Sequence, residues 1–139
     1  LLCQEEEGIQ DRGRFGGVGV VYKSQTVDHP ELGKGRDLLG DGSIVLIPLP
    51  GHAKGQYGAL VRTDQGPVFL VADAFWDIRA VTEGKVPNPI VRVFFDDMDA
   101  YAQSLQRIRN FHTKHPEVPL IATHCPEAAK LIVPIHSAV

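Results

Sequence analysis

Cysteine is scarce: the two residues of that type, Cys3 and Cys125, stand at opposite ends of 139 residues and frame neither a disulfide scaffold nor a close metal-binding pair. A reducing cytoplasm is the expected home. Long apolar runs are missing as well. None approaches the roughly 18 to 20 residues of a membrane span, and no basic region followed by a hydrophobic stretch opens the chain. The reading is a soluble, unsecreted protein. Charge of one sign is also lacking, since 14 Lys and Arg against 17 Asp and Glu leave a net charge of −3 with no basic stripe. That argues against gripping a phosphate backbone, so nucleic acid is not an expected partner. Finally, no methionine begins the chain. Leu1-Leu2-Cys3-Gln4 starts as if inside a buried strand, which reads as a truncated or processed chain whose parent contains more than this piece.

What is present suffices for one domain over residues 1–139, because 43% hydrophobic content in a chain of this length builds a sizeable core. Leu1 to Gln4 and Val18 to Tyr22 read as short strands around a glycine-rich loop. Residues 26–42, rich in Gly, Asp and Pro, are expected to wander until the Asp41-Gly42 turn signal introduces the apolar run Ser43 to Leu49, a buried strand. Tyr57 to Thr63 and Val68 to Ala72 read as two antiparallel strands about an Asp64-Gln65-Gly66-Pro67 turn. Met98, Tyr101, Leu105, Ile108 and His112 recur at helical spacing behind a good N-cap, Asp96 or Asp97, predicting a helix over 97–114. Pro119 to Thr123 reads as a strand, and Pro126 as the start of a short helix. The expected class is α+β or α/β, a mixed and mostly antiparallel sheet with helices on one face.

Three residues with metal-ligand chemistry end three of these strands. His52 follows the first in a loop where Gly51 and Gly55 permit tight turns. Asp73 ends the strand 68–72, and His124 ends the strand 119–123. Neutral imidazole and carboxylate together suit Zn²⁺ and similar divalent ions, and a carboxylate can bridge two of them. Two such ions share and activate a water while polarising a carbonyl or phosphoryl oxygen.

The runs GDGSIVLIPLPGHAKGQYGALV, VFLVADAFW and PLIATHCPE, in that order over roughly residues 38–130, resemble the second half of metallo-β-lactamase-superfamily hydrolases, in the lactonase-like and glyoxalase II-like branches. The resemblance implies the C-terminal half of an αββα sandwich. It implies that His52 serves the first metal, that Asp73 bridges the two metals with a part in the chemistry, and that His124 serves the second. The implied activity is hydrolysis of an ester, thioester, lactone or amide by metal-bound hydroxide at a dinuclear zinc centre, on a small-molecule substrate. The family's His-x-His-x-Asp-His signature is absent here. With three of seven expected ligands, this chain by itself is expected to bind metal weakly and to hydrolyse nothing efficiently. A half-sandwich also leaves a sheet face uncovered, so pairing with the missing half or self-association is expected. The alternative is a non-catalytic metal-binding or protein-interaction module derived from the fold.

Phe75 and Trp76, just after Asp73, are candidates for lining the substrate pocket. Lactonase-like relatives often place a Tyr near the position of Trp76 to contact the substrate carbonyl. An indole donates from its ring nitrogen but cannot act as a phenolic acid, which weakens lactonase as the specific activity. His112 and His115 read as helix-end residues facing the C-terminal dipole. His29 and His136 have no informative context. The stretch Arg12 to Gly19 lacks the Lys-Ser/Thr ending of a phosphate loop.

Overall fold

Alternation along three strands decides which side of the sheet becomes the core. In Ile44–Pro48 (β3), Tyr57–Thr63 (β4) and Gly66–Ala72 (β5), successive side chains point to opposite faces. Val45, Leu60 and Phe69 face each other in register and join the core, whereas Leu46, Ala59 and Leu70 form the matching row on the other face. The computed structural model describes residues 25–85 and 95–125. Within these, six strands lie side by side in chain order, antiparallel except for the last pair, β5 with Leu120–Ala122 (β6). A parallel neighbour needs a long crossover. Here it includes the short helix Arg79–Thr82 (α1) and the long helix Met98–Lys114 (α2).

Helix α2 begins where expected, with the Asp97 carboxylate accepting from the backbone N–H groups of Asp99 and Ala100. Its buried stripe is Tyr101, Ser104, Leu105, Ile108 and Phe111, so Phe111 rather than His112 completes it. The stripe covers the core face of the sheet, and Phe111 meets Phe69 edge to face at 5.3 Å. Each large side chain fully buried there, such as Phe69 or Ile108, contributes about 1.5–3 kcal/mol. The opposite face, with Leu46, Ala59, Leu70 and Ile121 in one register row, carries no second layer among the described residues.

The expectation of a wandering chain over 26–42 is corrected. Gln25–His29 (β1) and Gly33–Asp37 (β2) form a hairpin with register from Gln25↔Asp37 to His29↔Gly33. Only Val27 in these strands is a large apolar residue, so no alternation announces them; backbone pairing and the continuing ladder of β2 on β3 carry the structure. The turn is anchored by Leu32, fully buried, whose carbonyl accepts from the Arg107 guanidinium at 2.9 Å. The next expected turn is shorter than predicted, since Gly66 and Pro67 already pair in β5 with Thr63 and Arg62. The strands read at Leu1–Gln4 and Val18–Tyr22 and the helix after Pro126 lie outside the described residues.

Candidate metal centre

The end of β5 is bent. Ala72 has φ 51°, the one non-glycine residue in the left-handed region among those described, and the pairing with β6 slips between Leu70 and Ala72. A side chain in that region costs about 1–2 kcal/mol, which the surrounding structure must hold. It is held by β6: the Thr123 N–H donates to the Ala72 carbonyl at 3.1 Å. The bend turns Asp73 across the C-terminal ends of two parallel strands, and His124 emerges beside it. Nε2 of His124 stands 3.5 Å from Oδ1 of Asp73, while Nε2 of His52 stands 3.9 Å from Oδ2. The three residues singled out from the sequence are therefore neighbours, with the carboxylate between the two imidazoles.

His52 arrives there because its loop is fastened to the start of α2. Gly51 has φ 137°, and a Cβ on it would lie 2.3 Å from the Tyr101 Cα, so only glycine permits the approach. Backbone N–H groups of Asp97 and Asp96 donate to the carbonyls of Gly51 and His52 at 3.0 and 3.3 Å. Ser104, on the buried stripe, donates its hydroxyl to the Pro50 carbonyl at 2.7 Å, and Arg107 donates to that of Pro48 at 2.8 Å. These two supports were not found by reading the sequence. The signal was available: Ser104 falls on the apolar stripe, and a polar group there must have a partner.

The two candidate pocket aromatics part company. Phe75 is 1% exposed and belongs to the core, whereas Trp76 is 37% exposed. Trp76 meets both histidines edge-on, its ring 6.1 Å from that of His52 and 6.4 Å from that of His124. Phe95, which the sequence did not single out, stacks on Trp76 at 5.9 Å and stands across His52 at 5.4 Å. His112 and His115 sit at the end of α2 as expected, and His115 with His29 faces Glu31. The Glu31 side chain is only 7% exposed, and the Lys114 ammonium bonded to it at 2.8 Å holds its carboxyl below the usual range.

Two buried polar atoms in the centre lack any hydrogen-bond partner, Oδ1 of Asp73 and Nδ1 of His52. An orphaned carboxylate oxygen pointing at an imidazole suits a cation between them, and two imidazoles with one carboxylate are a zinc-type donor set. Two imidazoles and a carboxylate are donor types that suit a metal, but among the described residues no group of three or more His, Cys, Asp or Glu side chains is placed to hold one.

No family model matches the chain. By sequence it is 30% identical over 93 residues to the N-acyl homoserine lactonase AttM of Rhizobium radiobacter, covering 66% of this chain and 33% of that protein. The AttM lactonase of Agrobacterium fabrum matches to the same extent. By structure it is similar to an N-acyl homoserine lactone hydrolase with the product N-hexanoyl-L-homoserine bound at its catalytic metal centre. That match has a TM-score of 0.52 at 24% identity, over 65% of this chain and 34% of the other. A quorum-quenching N-acyl homoserine lactone lactonase matches with the same TM-score and identity, over 64% and 35%. The chain spans about a third of the length of the curated relatives it matches. The described residues carry part of the metallo-β-lactamase fold, and over 93 residues the chain is similar in sequence to N-acyl homoserine lactonases.

Proposed function

We propose that His52, Asp73 and His124 are one side of a dinuclear zinc centre, and that the whole protein is a metal-dependent hydrolase of a lactone or a related ester, thioester or amide. The observation that carries this reading is the Asp73 carboxylate, which turns one oxygen toward each of two histidines from different loops. In that arrangement His52, Asp73 and His124 would be the residues of this chain that hold the metal, with the carboxylate between the two imidazoles. Bound there, the metal supplies an activated water and polarises the carbonyl. The chain's own residues position: the bend at Ala72 aims Asp73, and the fastening of Gly51 to α2 aims His52. Trp76 can donate its indole N–H to a substrate oxygen but cannot protonate a leaving alkoxide. Among the candidate bonds a lactone is favoured because the curated relatives and the solved neighbours are lactonases.

The remaining ligands come from a partner half of the fold. The uncovered row Leu46, Ala59, Leu70 and Ile121 fits such a layer, over a groove of about 460 Å³. By itself this stretch hydrolyses nothing efficiently. No described helix is long and apolar enough to cross a membrane. The test is equilibrium dialysis against zinc followed by plasma mass spectrometry, with His52→Ala and Asp73→Ala in parallel. Bound zinc that falls in both variants is expected. Zinc retained equally by wild type and both variants would sink the assignment.

A further inference from the structure

We propose that His29 and Glu31 form a proton-operated switch in the turn that braces Arg107, with His115 setting the pH at which it turns over. The inference is independent of the hydrolase reading and concerns the end of α2 remote from His52. Three segments meet there: the last residue of β1, the turn that follows it and the C-terminal end of α2. The Glu31 side chain is 7% exposed, and its two oxygens are served unequally. Oε1 accepts from the Lys114 ammonium at 2.8 Å, whereas Oε2 is buried with no hydrogen-bond partner. Nδ1 of His29 stands 3.2 Å from that orphaned oxygen, and Nε2 of His115 stands 3.8 Å from it.

Two claims on the His29 Nδ1 exclude each other. The Glu31 N–H donates to it at 3.4 Å, which requires a lone pair, while Oε2 would accept from it only if that nitrogen carried a proton. In the structure the first bond is made, so the ring is neutral with its proton on Nε2. Protonation exchanges the bonds: Nδ1–H donates to Oε2 in a charge-assisted contact, and the Glu31 N–H loses its acceptor. One proton thereby rewires the backbone of the turn. The surroundings decide the pH of the exchange. The His29 ring packs on Phe111 at 5.5 Å, and its burial disfavours the imidazolium most; Glu31 favours it, and His115, with its ring 6.2 Å away, opposes it. Lys114 draws on the same carboxylate, and Glu117 faces His115 at 3.6 Å. Asp28 and Lys34, the next pair of the hairpin, point to the other face of the sheet. Leu32 follows Glu31 directly, and its carbonyl accepts from the Arg107 guanidinium, which also donates to Pro48.

Two-dimensional NMR of the full chain, titrated from pH 8 to pH 4.5, reads both sides of the exchange. At pH 8 the His29 ring should show a bare Nδ1 and a protonated Nε2. As pH falls, Nδ1 should take up its proton with a midpoint below the ordinary 6.5, and the Glu31 amide signal should move with the same midpoint. Glu31→Gln removes the attraction while keeping an acceptor oxygen, so the His29 midpoint should fall. His115→Gln removes the repulsion, and the midpoint should rise. A histidine that is only packed there would leave the Glu31 amide unmoved. A proton on Nδ1 at pH 8, a Glu31 amide that stays still while His29 titrates, or a midpoint that His115→Gln leaves in place overturns the proposal. The His115 side chain is 39% exposed, so its variant keeps the fold and decides the matter even where Glu31→Gln does not fold.

Discussion

Replacing Gly51 by Ala tests how His52 is held. The new Cβ would lie 2.3 Å from Cα, 2.4 Å from N and 2.6 Å from Cβ of Tyr101, against an ordinary carbon contact of about 3.5–4.0 Å. Two of these three atoms are backbone of an α-helix and cannot step aside, so the loop must lift by more than an ångström. Lifting breaks the bonds from Asp97 N–H to Gly51 and from Asp96 N–H to His52, about 1 kcal/mol each. Keeping the loop down instead costs about 1–3 kcal/mol of overpacking and a similar strain for alanine at φ 137°. Lifting thus costs about 2 kcal/mol and staying down about 2–6 kcal/mol, a large part of the roughly 5–15 kcal/mol of a typical domain. Thermal melts should show a fall of about 10 °C. Gly55→Ala, four residues on in the same loop with nothing within 4 Å of the new Cβ, is the control and should stay within about 0.5 kcal/mol of wild type. If the Gly51 and Gly55 variants melt together, the close approach to α2 is not what holds His52.

Other consequences follow from single contacts. Asp97→Ala removes the acceptor for two N–H groups at the start of α2 and should cost about 1 kcal/mol in urea unfolding; no change would mean that the cap is not formed. Burial lowers the pKa of His29 despite the attraction of Glu31. The unfolded chain therefore takes up that proton more readily, and stability at this site is present above the ordinary 6.5 and lost as pH falls through the lowered value. Urea midpoints at pH 7.5 and 5.5 should converge in His29→Gln, and an unchanged difference would refute the assignment. On the uncovered face, Leu70→Lys and Ile121→Lys should turn a self-associating chain into a monomer by light scattering, whereas a wild type that is already monomeric at high concentration would count against the partner layer.

Much of the architecture was legible because it depends on periodicity. Strands β3, β4 and β5 alternate, α2 repeats at helical spacing behind Asp97, and the order of His52, Asp73 and His124 after three strands survives folding intact. The β1–β2 hairpin was not legible, since Val27 is its only large apolar strand residue and an unalternating strand looks like a loop. Phe75 and Trp76 are adjacent in sequence and equally aromatic. Their opposite fates, core and surface, follow from the turn after the bend at Ala72, and no local pattern encodes that.

The sequence by itself determined the residue types of the candidate site, their places at strand ends and the side of α2 that is buried, because these follow from residue chemistry and from periods of two and 3.6. The tertiary structure alone decided that the three candidate residues meet. Asp73 reaches His124 through the parallel pairing of segments some fifty residues apart, and His52 reaches Asp73 through a glycine pressed against a helix backbone. Contacts of that range depend on how the sheet, the helix and the loops close on one another, which no window of neighbouring residues records.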